Sequence, residues 1–429
     1  MKPRLLQLGQ VNIARPSTGA QLRNYYLLRE LSKVMEVTHL GFHDAHEALP
    51  SARSNEQIRM TIVPKGRTYT IGKLVHGALG KTPVTLLNFQ NAEMAAALRA
   101  KLSTTHYDIV QLEGIEVSPY LRIIQASRHR PKYIVLDWHN VESEVVMRHS
   151  QYAASPLRRL YMRRAARQLE KIECTLLDCC DLHLVVSERD GESLTDRQPE
   201  ANVSVVENGV DVDYFRESFE SGDGADEWAK RDRLLFCGSM DYSANVDAMM
   251  YFVSEIWPLI RRQLPDIVLT IAGRNPPEKV KALAADPGIE VTGTLPDVRP
   301  YYGTAFASIV PIRVAGGTRL KILEAMAAGV PVVSTTIGAE GLRAMPAIHL
   351  CLADTPADFV RQVTRLRNDL QWSRQLSGAA HKLVASIYDW RVIGVRLVDT
   401  YFNLLNQAGA TGQTRGRSLE TRPRALAGV

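Results

Sequence analysis

Short apolar runs alternate with helical patterns along most of the chain. Six runs lie in the first half and six in the second: RLLQLG, VTHLGF, YDIVQLEG, YIVLDWH, DLHLVVS and VSVVENG, then RLLFCG, IVLTIAG, IEVTGTL, FASIVPI, GVPVVST and AIHLCLA. Runs that are apolar at consecutive positions are typical of strands buried on both faces, which helical crossovers connect. The pattern predicts an α/β fold with two parallel sheets of about six strands each.

The alternation stops in one stretch, ENGVDVDYFRESFESGDGADEWAKRD, where Gly, Asp and Glu accumulate. This break predicts a domain over 1–205 and a second domain over 206–387. The helical pattern at 388–407 follows the second domain, and we expect it to pack back on the first. Residues 408–429 carry four arginines and one acid without periodicity, so a disordered basic tail is expected.

Composition places the protein among ordinary globular proteins and indicates its compartment. Of the 429 residues, 45% are hydrophobic and 23% are charged, with a net charge of +6. The N-terminal apolar run is interrupted by Gln7 and Gln10, which is unlike a signal peptide, and no run is long enough to span a bilayer. Five cysteines without zinc-site spacing predict free thiols. We expect a cytoplasmic protein without a nucleic-acid partner.

The stretch VAGGTRLKILEAMAAGVPVVST, residues 314–335, combines features of an anion site. A strand leads into a turn at Gly316 and Gly317, Thr318 is a helix N-cap, and the helix ends at Gly329. A helix N-terminus preceded by glycines binds phosphate through its backbone N–H groups, and Arg319 and Lys321 add positive charge there. The expected ligand is a phosphate ester.

Glu324 has two interpretations. Its carboxylate can accept hydrogen bonds from the vicinal hydroxyls of a ribose, which together with the phosphate indicates a nucleotide. Alternatively, Lys321 and Glu324 form an ordinary surface pair at i and i+3. The chain carries neither GxxxxGK[ST] nor GxGxxG after its first strand, so a P-loop kinase and a dehydrogenase are disfavoured.

Several motifs in order resemble retaining, GT-B-type glycosyltransferases of the group 1 family. They are VVENGVDVDYF, LLFCGSMDYSANVDAMMYF, IAGRNPP, VTGTLPDVRPYY and GGTRLKILEAMAAGVPVVST. The likeness is close over about residues 203–345 and looser through PSTGAQLRNYYLLRELSK and DWHNVES. It implies two facing Rossmann-like domains with a cleft, the donor held mainly by the second domain and the acceptor mainly by the first. It also implies metal-independent transfer from a nucleotide-sugar, UDP- or GDP-linked, with no cofactor.

The resemblance also places roles on residues of the second domain. Gly316 stands where the family has the first of two glutamates, and backbone amides of Gly316, Gly317 and Thr318 are the expected replacement for its contact with the sugar. Ser239 and Ala244 stand near the family's phosphate-binding Arg and Lys, so Arg319 and Lys321 are expected to supply that charge.

In the first domain the resemblance places the family's Gly-Gly loop at Gly19 and Ala20. Arg23, one turn on, is then expected to reach the donor phosphates; the alternative is a helix capped by Thr18 with Arg23 in solvent. His139 follows the run YIVLDW at a strand end, where active-site residues of such sheets lie. The family pattern makes it a donor-contacting histidine, and Glu113 is an acceptor-side candidate.

Two further features of the sequence each have two interpretations. Gly273 and Arg274 end a strand of the second sheet, where ligands bind in α/β folds, but a helix-capping turn with a solvated arginine is the favoured interpretation. The segment from Leu157 to Glu173 places Leu157, Tyr161, Ala165, Leu169 and Ile172 on one helical face and six cations on the rest. Such a helix suits either an anionic membrane surface, peripheral on the inner face of the membrane, or core packing with a solvated basic face.

The sequence therefore favours an enzyme that transfers a hexosyl group to a hydroxyl of a glycan or lipid-linked acceptor. Its expected catalytic residues are His139, Arg319 and Lys321, with no metal ligands. A sugar-nucleotide epimerase of the same fold and a non-catalytic membrane- or anion-binding protein are the alternatives. An epimerase needs acid and base groups around the sugar, and no extra carboxylates are evident from the sequence.

Overall fold

The computed structural model describes residues 2–14, 16–43, 57–153, 155–221, 228, 230–314 and 320–410. The chain divides into two compact units, one formed by Met1–Glu207 with Ile393–Val429 and the other by Asn208–Val392. A disordered tail was expected at 408–429; residues 408–410 instead continue the last described helix, and residues 411–429 lie outside the described residues. In the part of the chain that is described, no helix is both long and apolar enough to cross a membrane.

The first unit is built on a parallel sheet of seven strands in the order β3-β2-β1-β4-β5-β6-β7. Their bounds are β1 (Arg4–Leu8), β2 (Glu36–His43), β3 (Ile58–Pro64), β4 (Ile109–Glu113), β5 (Tyr133–Trp138), β6 (Leu182–Val185) and β7 (Val203–Val205). Six of them coincide with the six apolar runs. The seventh, β3, lies at the sheet edge and carries polar, partly exposed residues, which explains why it lacks an apolar run.

Helices of the first unit connect these strands. They are α1 (Gly19–Ser32), α2 (Ile71–Leu79), α3 (Val84–Leu87), α4 (Ala92–Thr104), α5 (Leu121–Gln125), α6 (Glu142–Gln151), α7 (Pro156–Cys179) and α8 (Glu188–Arg197), with a 3₁₀ helix at Ile115–Tyr120. α1 begins with a capping box, because Thr18 accepts from the backbone N–H of Gln21 while the Gln21 side chain accepts from that of Thr18.

The second unit contains a parallel sheet of six strands in the order β10-β9-β8-β11-β12-β13. The strands are β8 (Arg233–Cys237), β9 (Val268–Ala272), β10 (Ile289–Gly293), β11 (Ala305–Val310), β12 (Val332–Ser334) and β13 (Cys351–Leu352). All six match predicted apolar runs. The chain order reverses between β8 and β11, and such a switch point opens a crevice at the carboxyl ends of the strands.

Helices of the second unit cover its sheet. They are α9 (Val212–Ser221), α10 (Ser243–Tyr251), α11 (Trp257–Gln263), α12 (Glu278–Lys281), α13 (Arg299–Thr304), α14 (Leu320–Ala327), α15 (Pro356–Asn368) and α16 (Leu370–Leu383). The long helix α17 (Trp390–Ala410) follows, and from Ile393 onward it belongs to the first unit. Its Tyr401 is fully buried there and donates to Gln111 of β4 at 2.6 Å.

The stretch that interrupts the apolar pattern is partly helical. α9 lies within it, and its Phe215 is buried with its ring 5.7 Å from that of Tyr302 in a T-shaped contact. This part of the stretch is therefore packed into the second unit. Two parallel-sheet α/β units confirm the predicted fold class.

Candidate functional site

Two glycines bring the loops after β8 and β9 into direct contact at the switch point of the second unit. A Cβ on Gly273 would lie 2.0 Å from the backbone oxygen of Gly238, so any side chain there would force the loops apart. A Cβ on Gly238 would lie 2.6 Å from Nζ of Lys321. The backbone can thus approach the crevice only because both positions lack a side chain.

Lys321, in the first turn of α14, points toward these loops. Its Nζ donates to Oδ1 of Asn245 at 2.7 Å and lies 4.1 Å from the ring centre of Phe236 at the end of β8. These contacts hold a cation, half-buried, at the carboxyl edge of the sheet. An ammonium in this place can neutralise an anionic group that enters the crevice.

Glu324 lies one turn further along α14 and belongs to a second polar cluster. The hydroxyl of the buried Tyr302 lies 3.5 Å from its Oε2. Burial raises the pKa of Glu324, while Lys321 and the Tyr302 hydrogen bond oppose the rise. Burial also raises the pKa of the neighbouring Cys237 thiol to about 12, with the Glu324 charge adding to the effect. Glu324 is therefore half-buried beside Tyr302 and does not form an exposed surface pair, while its role as a nucleotide ligand stays a prediction.

Arg274 lies beside the same loops. Its Nε is 3.0 Å from Oδ2 of Asp241 and donates to Oγ of Ser239 at 3.1 Å, and its carbonyl accepts from the N–H of Met240 at 3.0 Å. The arginine therefore ties the loop after β9 to the loop after β8. These bonds fit a loop-organising role better than a freely solvated side chain.

Four expected donor-site residues cannot be placed. Gly316, Gly317, Thr318 and Arg319 lie outside the described residues, so their roles stay predictions. The strand before them and the helix after them are described, and α14 begins at Leu320.

His139 lies at the carboxyl end of β5 in the first unit. Its Nε2 is 2.9 Å from Oε2 of Glu113, and its Nδ1 is 3.5 Å from Nε2 of Gln10. Burial alone would lower the pKa of His139, but the hydrogen bond and charge of Glu113, with the charge of Asp137, outweigh burial and raise it. The imidazole therefore carries positive charge more readily than an ordinary histidine.

Glu113 is fully buried and is the centre of a hydrogen-bond network. Its Oε1 accepts from Nε2 of Gln7 at 2.6 Å and also from the side chain of Gln111. Burial, followed by the like charge of Asp137, raises its pKa, against the effects of His139 and Arg23. The network fixes the orientation of the His139 ring.

Two more carboxyl groups lie beside His139. Burial, then the charge of Glu116, raises the pKa of Glu142 to about 8. Burial also raises the pKa of Glu116. A carboxyl group with a pKa near neutrality can exchange protons with a bound substrate at physiological pH. The first unit thus holds carboxyl groups with raised pKa values, which the sequence did not indicate.

Arg23 has different surroundings from those expected of a phosphate ligand. It is 1% exposed, and its Nη2 and Nε donate to the two oxygens of Asp137 at 2.8 and 3.1 Å. Its Nη1 donates to the carbonyls of Val206 and Glu207 at 2.9 and 3.1 Å. The guanidinium joins β5 to the segment after β7, so it is neither a solvated side chain nor open to a ligand in this arrangement.

Gly19 and Ala20 form the first turn of α1, directly after the cap at Thr18. Gly19 is exposed and Ala20 is half-buried. Thr18 therefore caps this helix, as the alternative interpretation predicted. The exposed first turn is still compatible with a backbone contact to an anion.

One group of side chains could in principle hold a metal ion. Among the described residues, Glu113, Asp137 and His139 bring ligand atoms within 4.8 Å of one another. The carboxylates already accept hydrogen bonds from Arg23, Gln7 and the imidazole itself. Because a guanidinium neutralises Asp137, this donor set fits an internal ion-pair network better than a metal site.

Polar residues inside the apolar runs are the signal that sequence reasoning passed over. Gln7, Gln111 and Asp137 lie within β1, β4 and β5, and a polar side chain in a strand buried on both faces needs a partner. Their strands are neighbours in the sheet. Polar positions in adjacent buried strands therefore indicate a shared network.

Comparison with known proteins shows which family part of the second unit matches and which known fold the chain resembles. Residues 231–369 match the family described as Glycosyl transferases group 1. The structure is similar to sucrose-phosphate synthase from Thermosynechococcus elongatus, with a TM-score of 0.71 at 17% identity, over 94% of this chain and 100% of that one. It also resembles the Anabaena protein HepE in complex with UDP and glucose, with a TM-score of 0.64 at 12% identity, over 94% and 100% of the chains. The architecture is the GT-B fold.

A relative in sequence comes from Klebsiella pneumoniae and is described as an uncharacterized 44.6 kDa protein in the cps region. It is 26% identical over 164 residues, which cover 36% of this chain and 42% of that protein. The chain thus aligns with less than half of that relative. A group 1 glycosyltransferase domain at 231–369 is the part of the chain that the family match defines.

Proposed function

We propose that this protein is a retaining, metal-independent glycosyltransferase. It transfers a sugar from a UDP- or GDP-linked donor to a hydroxyl of a glycan or lipid-linked acceptor, without a resident cofactor. The observation that carries the proposal is the pair of inward-facing side chains on α14, Lys321 and Glu324, at the switch point of a group 1 glycosyltransferase domain. A cytoplasmic location fits nucleotide-sugars as substrates.

The donor nucleotide binds in the crevice beside Gly238 and Gly273 in this proposal. Lys321 neutralises the pyrophosphate and Glu324 accepts hydrogen bonds from the ribose hydroxyls, because a carboxylate beside a cation can hold vicinal hydroxyls while the cation holds phosphate. Arg319 adds further positive charge at the phosphate, as the family resemblance implies. UDP is the first nucleotide to test, since the similar HepE structure was obtained with UDP and glucose.

Transfer then proceeds by positioning and electrostatic stabilisation. As the glycosidic bond breaks, negative charge grows on the leaving phosphate, and cations fixed at the crevice stabilise this charge. The same phosphate helps to take the proton of the acceptor hydroxyl on the face from which it departs, which retains the configuration. His139 contacts the donor as the family resemblance implies, and its raised pKa keeps the imidazole protonated, and therefore positively charged toward the donor phosphates, up to a higher pH.

The test is binding and turnover of a panel of UDP-, GDP- and ADP-sugars, with and without lipid-linked acceptors. Lys321→Ala should weaken binding of the preferred nucleotide by about 1.5–3 kcal/mol, the usual contribution of a charged hydrogen bond. Lys382→Ala is the matched control, because Lys382 is an exposed lysine of the same unit. Equal affinity in both variants and the parent would remove Lys321 from the donor site.

A sugar-nucleotide epimerase is the second candidate, and one observation favours it. Glu113 hydrogen-bonds to His139, the charge of His139 also acts on Glu116 and Glu142, and all three carboxyl groups have raised pKa values. Such groups could remove and return a proton on a sugar ring. The two activities separate in D₂O without acceptor: an epimerase forms a new sugar-nucleotide that carries deuterium, whereas a transferase leaves the donor sugar unlabelled and releases nucleotide when acceptor is added.

A further inference from the structure

Helix α2 presents its apolar face to solvent. Ile71, Leu74, Val75 and Leu79 follow helical spacing, as on a helix that packs against a core. Ile71 is 82% exposed and Leu79 is 79% exposed, and Leu74 and Val75 are also exposed. The buried residue of α2 is Gly77. A helix whose apolar stripe faces outward needs another surface to cover that stripe.

The helix is fixed to the protein by its other side and by its end. A Cβ on Gly77 would lie 3.0 Å from the backbone nitrogen of Val84, so the glycine permits close packing on the start of α3. Arg164 of α7 donates to the carbonyls of Ala78, Leu79 and Gly80 at 3.0, 3.3 and 2.9 Å. Arg164 is therefore a structural residue that holds α2 against α7.

The first turns of α7 extend the apolar surface. Leu157 is 80% exposed and Leu160 is 67% exposed. Because Leu160 and Arg164 are four residues apart, they lie on the same side of α7, next to the end of α2. The sequence predicted one apolar face along α7, and only the second half of that face packs into the core. Leu169 and Ile172 are buried, whereas Leu157 is exposed.

Positive charge surrounds these apolar side chains. No Asp or Glu occurs in residues 57–92 or 145–169, the segments that contain α2 and the first half of α7. The exposed cations there include Arg67, Lys81, Arg158, Arg159 and Arg163. Exposed aliphatic groups bordered by cations without acids complement a surface that is apolar inside and negative outside. A second copy of this chain would instead bring cations against cations.

We propose that α2 and the first turns of α7 form a membrane-docking surface, in which the exposed aliphatic side chains of α2 enter an anionic bilayer and the arginines of α7 contact lipid headgroups. The surface consists of Ile71, Leu74, Val75, Leu79, Leu157 and Leu160 with the surrounding cations. This inference does not depend on the proposed transfer reaction, because vesicle binding is measured without any donor.

Co-sedimentation of the full chain with vesicles tests it. Vesicles of phosphatidylcholine with about one-third phosphatidylglycerol should bind the protein, and binding should weaken steeply as salt rises. Vesicles of pure phosphatidylcholine should bind much less. Equal binding to both kinds of vesicle, or binding to neither, would overturn the proposal.

Two variants separate the apolar and charged contributions. Ile71→Asn with Leu79→Asn should weaken vesicle binding by about tenfold or more, because two exposed aliphatic side chains no longer enter the bilayer. Arg158→Glu with Arg163→Glu should weaken it by about thirtyfold or more. Circular dichroism checks the fold of each variant, which should be preserved because the replaced side chains are exposed.

Arg128→Glu with Arg130→Glu is the charge-matched control, since both arginines are exposed in a loop outside this surface. If this control loses as much vesicle binding as the α7 variant, net charge rather than the proposed surface is responsible. Light scattering gives the remaining outcome: if the parent is a dimer and the Ile71→Asn, Leu79→Asn variant is a monomer, the surface is covered by a second copy and the lipid proposal fails.

Discussion

Replacing Arg23 by alanine distinguishes a structural arginine from a phosphate ligand. The wild-type guanidinium makes two hydrogen bonds to the carboxylate of Asp137 and two to the backbone carbonyls of Val206 and Glu207. Asp137 is fully buried, so the substitution leaves a carboxylate in the interior without its counter-charge. Removing one partner of a buried ion pair costs about 3–5 kcal/mol. The free energy of unfolding of a typical domain is about 5–15 kcal/mol, so this loss is a large share of it.

Hydrogen exchange measured by mass spectrometry can read this loss in the first unit alone. Peptides from β5 should exchange about a hundredfold faster or more in Arg23→Ala, because their slow exchange depends on opening of the surrounding structure. Arg99→Ala is the control, since Arg99 is exposed on α4, and it should change stability by less than about 0.5 kcal/mol. Peptides from β9 in the second unit provide an internal reference.

A double variant tests whether the buried ion pair itself causes the loss. Arg23→Met combined with Asp137→Leu removes both charges at similar volume, and such replacements of buried ion pairs are often neutral or stabilising. The double variant should therefore recover part of the exchange protection that Arg23→Ala loses, although the carbonyls of Val206 and Glu207 still lack the donor that Arg23 supplies. If Arg23→Ala keeps the protection of β5 but no longer binds nucleotide-sugar, the structural assignment is refuted and the phosphate role expected from the sequence stands.

Three further results are expected. Gly273→Ala should destabilise the second unit by about 1–3 kcal/mol and weaken nucleotide binding, because its Cβ meets the Gly238 carbonyl. Gly303→Ala should do neither, because a Cβ there meets open space, and equal unfolding temperatures of the two variants would contradict this prediction. Glu324→Gln should lower affinity for a nucleotide but not for its 2′,3′-dideoxy analogue, by calorimetry. The pKa of Glu142 is raised from 4.5 to about 8, so its contribution to stability falls as pH rises through this window; Glu142→Gln should flatten that fall in urea titrations.

The sequence alone determined the two parallel sheets and the location of the donor motif. Consecutive apolar residues are required of strands covered on both faces, so twelve of the thirteen described strands were visible as apolar runs. β3 was not, because an edge strand is partly exposed and tolerates polar residues. The turn and helix around Lys321 and Glu324 were visible for a similar reason, since glycine, capping and helical periodicity are local signals.

The tertiary structure alone decided how polar residues are paired. Arg23 and Asp137 are separated by more than a hundred residues, and nothing local distinguishes a buried arginine from a solvated one; the folded sheet brings them together. The same holds for Glu113 with His139, and for Glu116 and Glu142, whose raised pKa values depend on burial and on neighbours from other elements. The face of α2 is the converse case. Its periodicity gives an apolar stripe, but only packing determines that Gly77 lies inside and Ile71 and Leu79 lie outside.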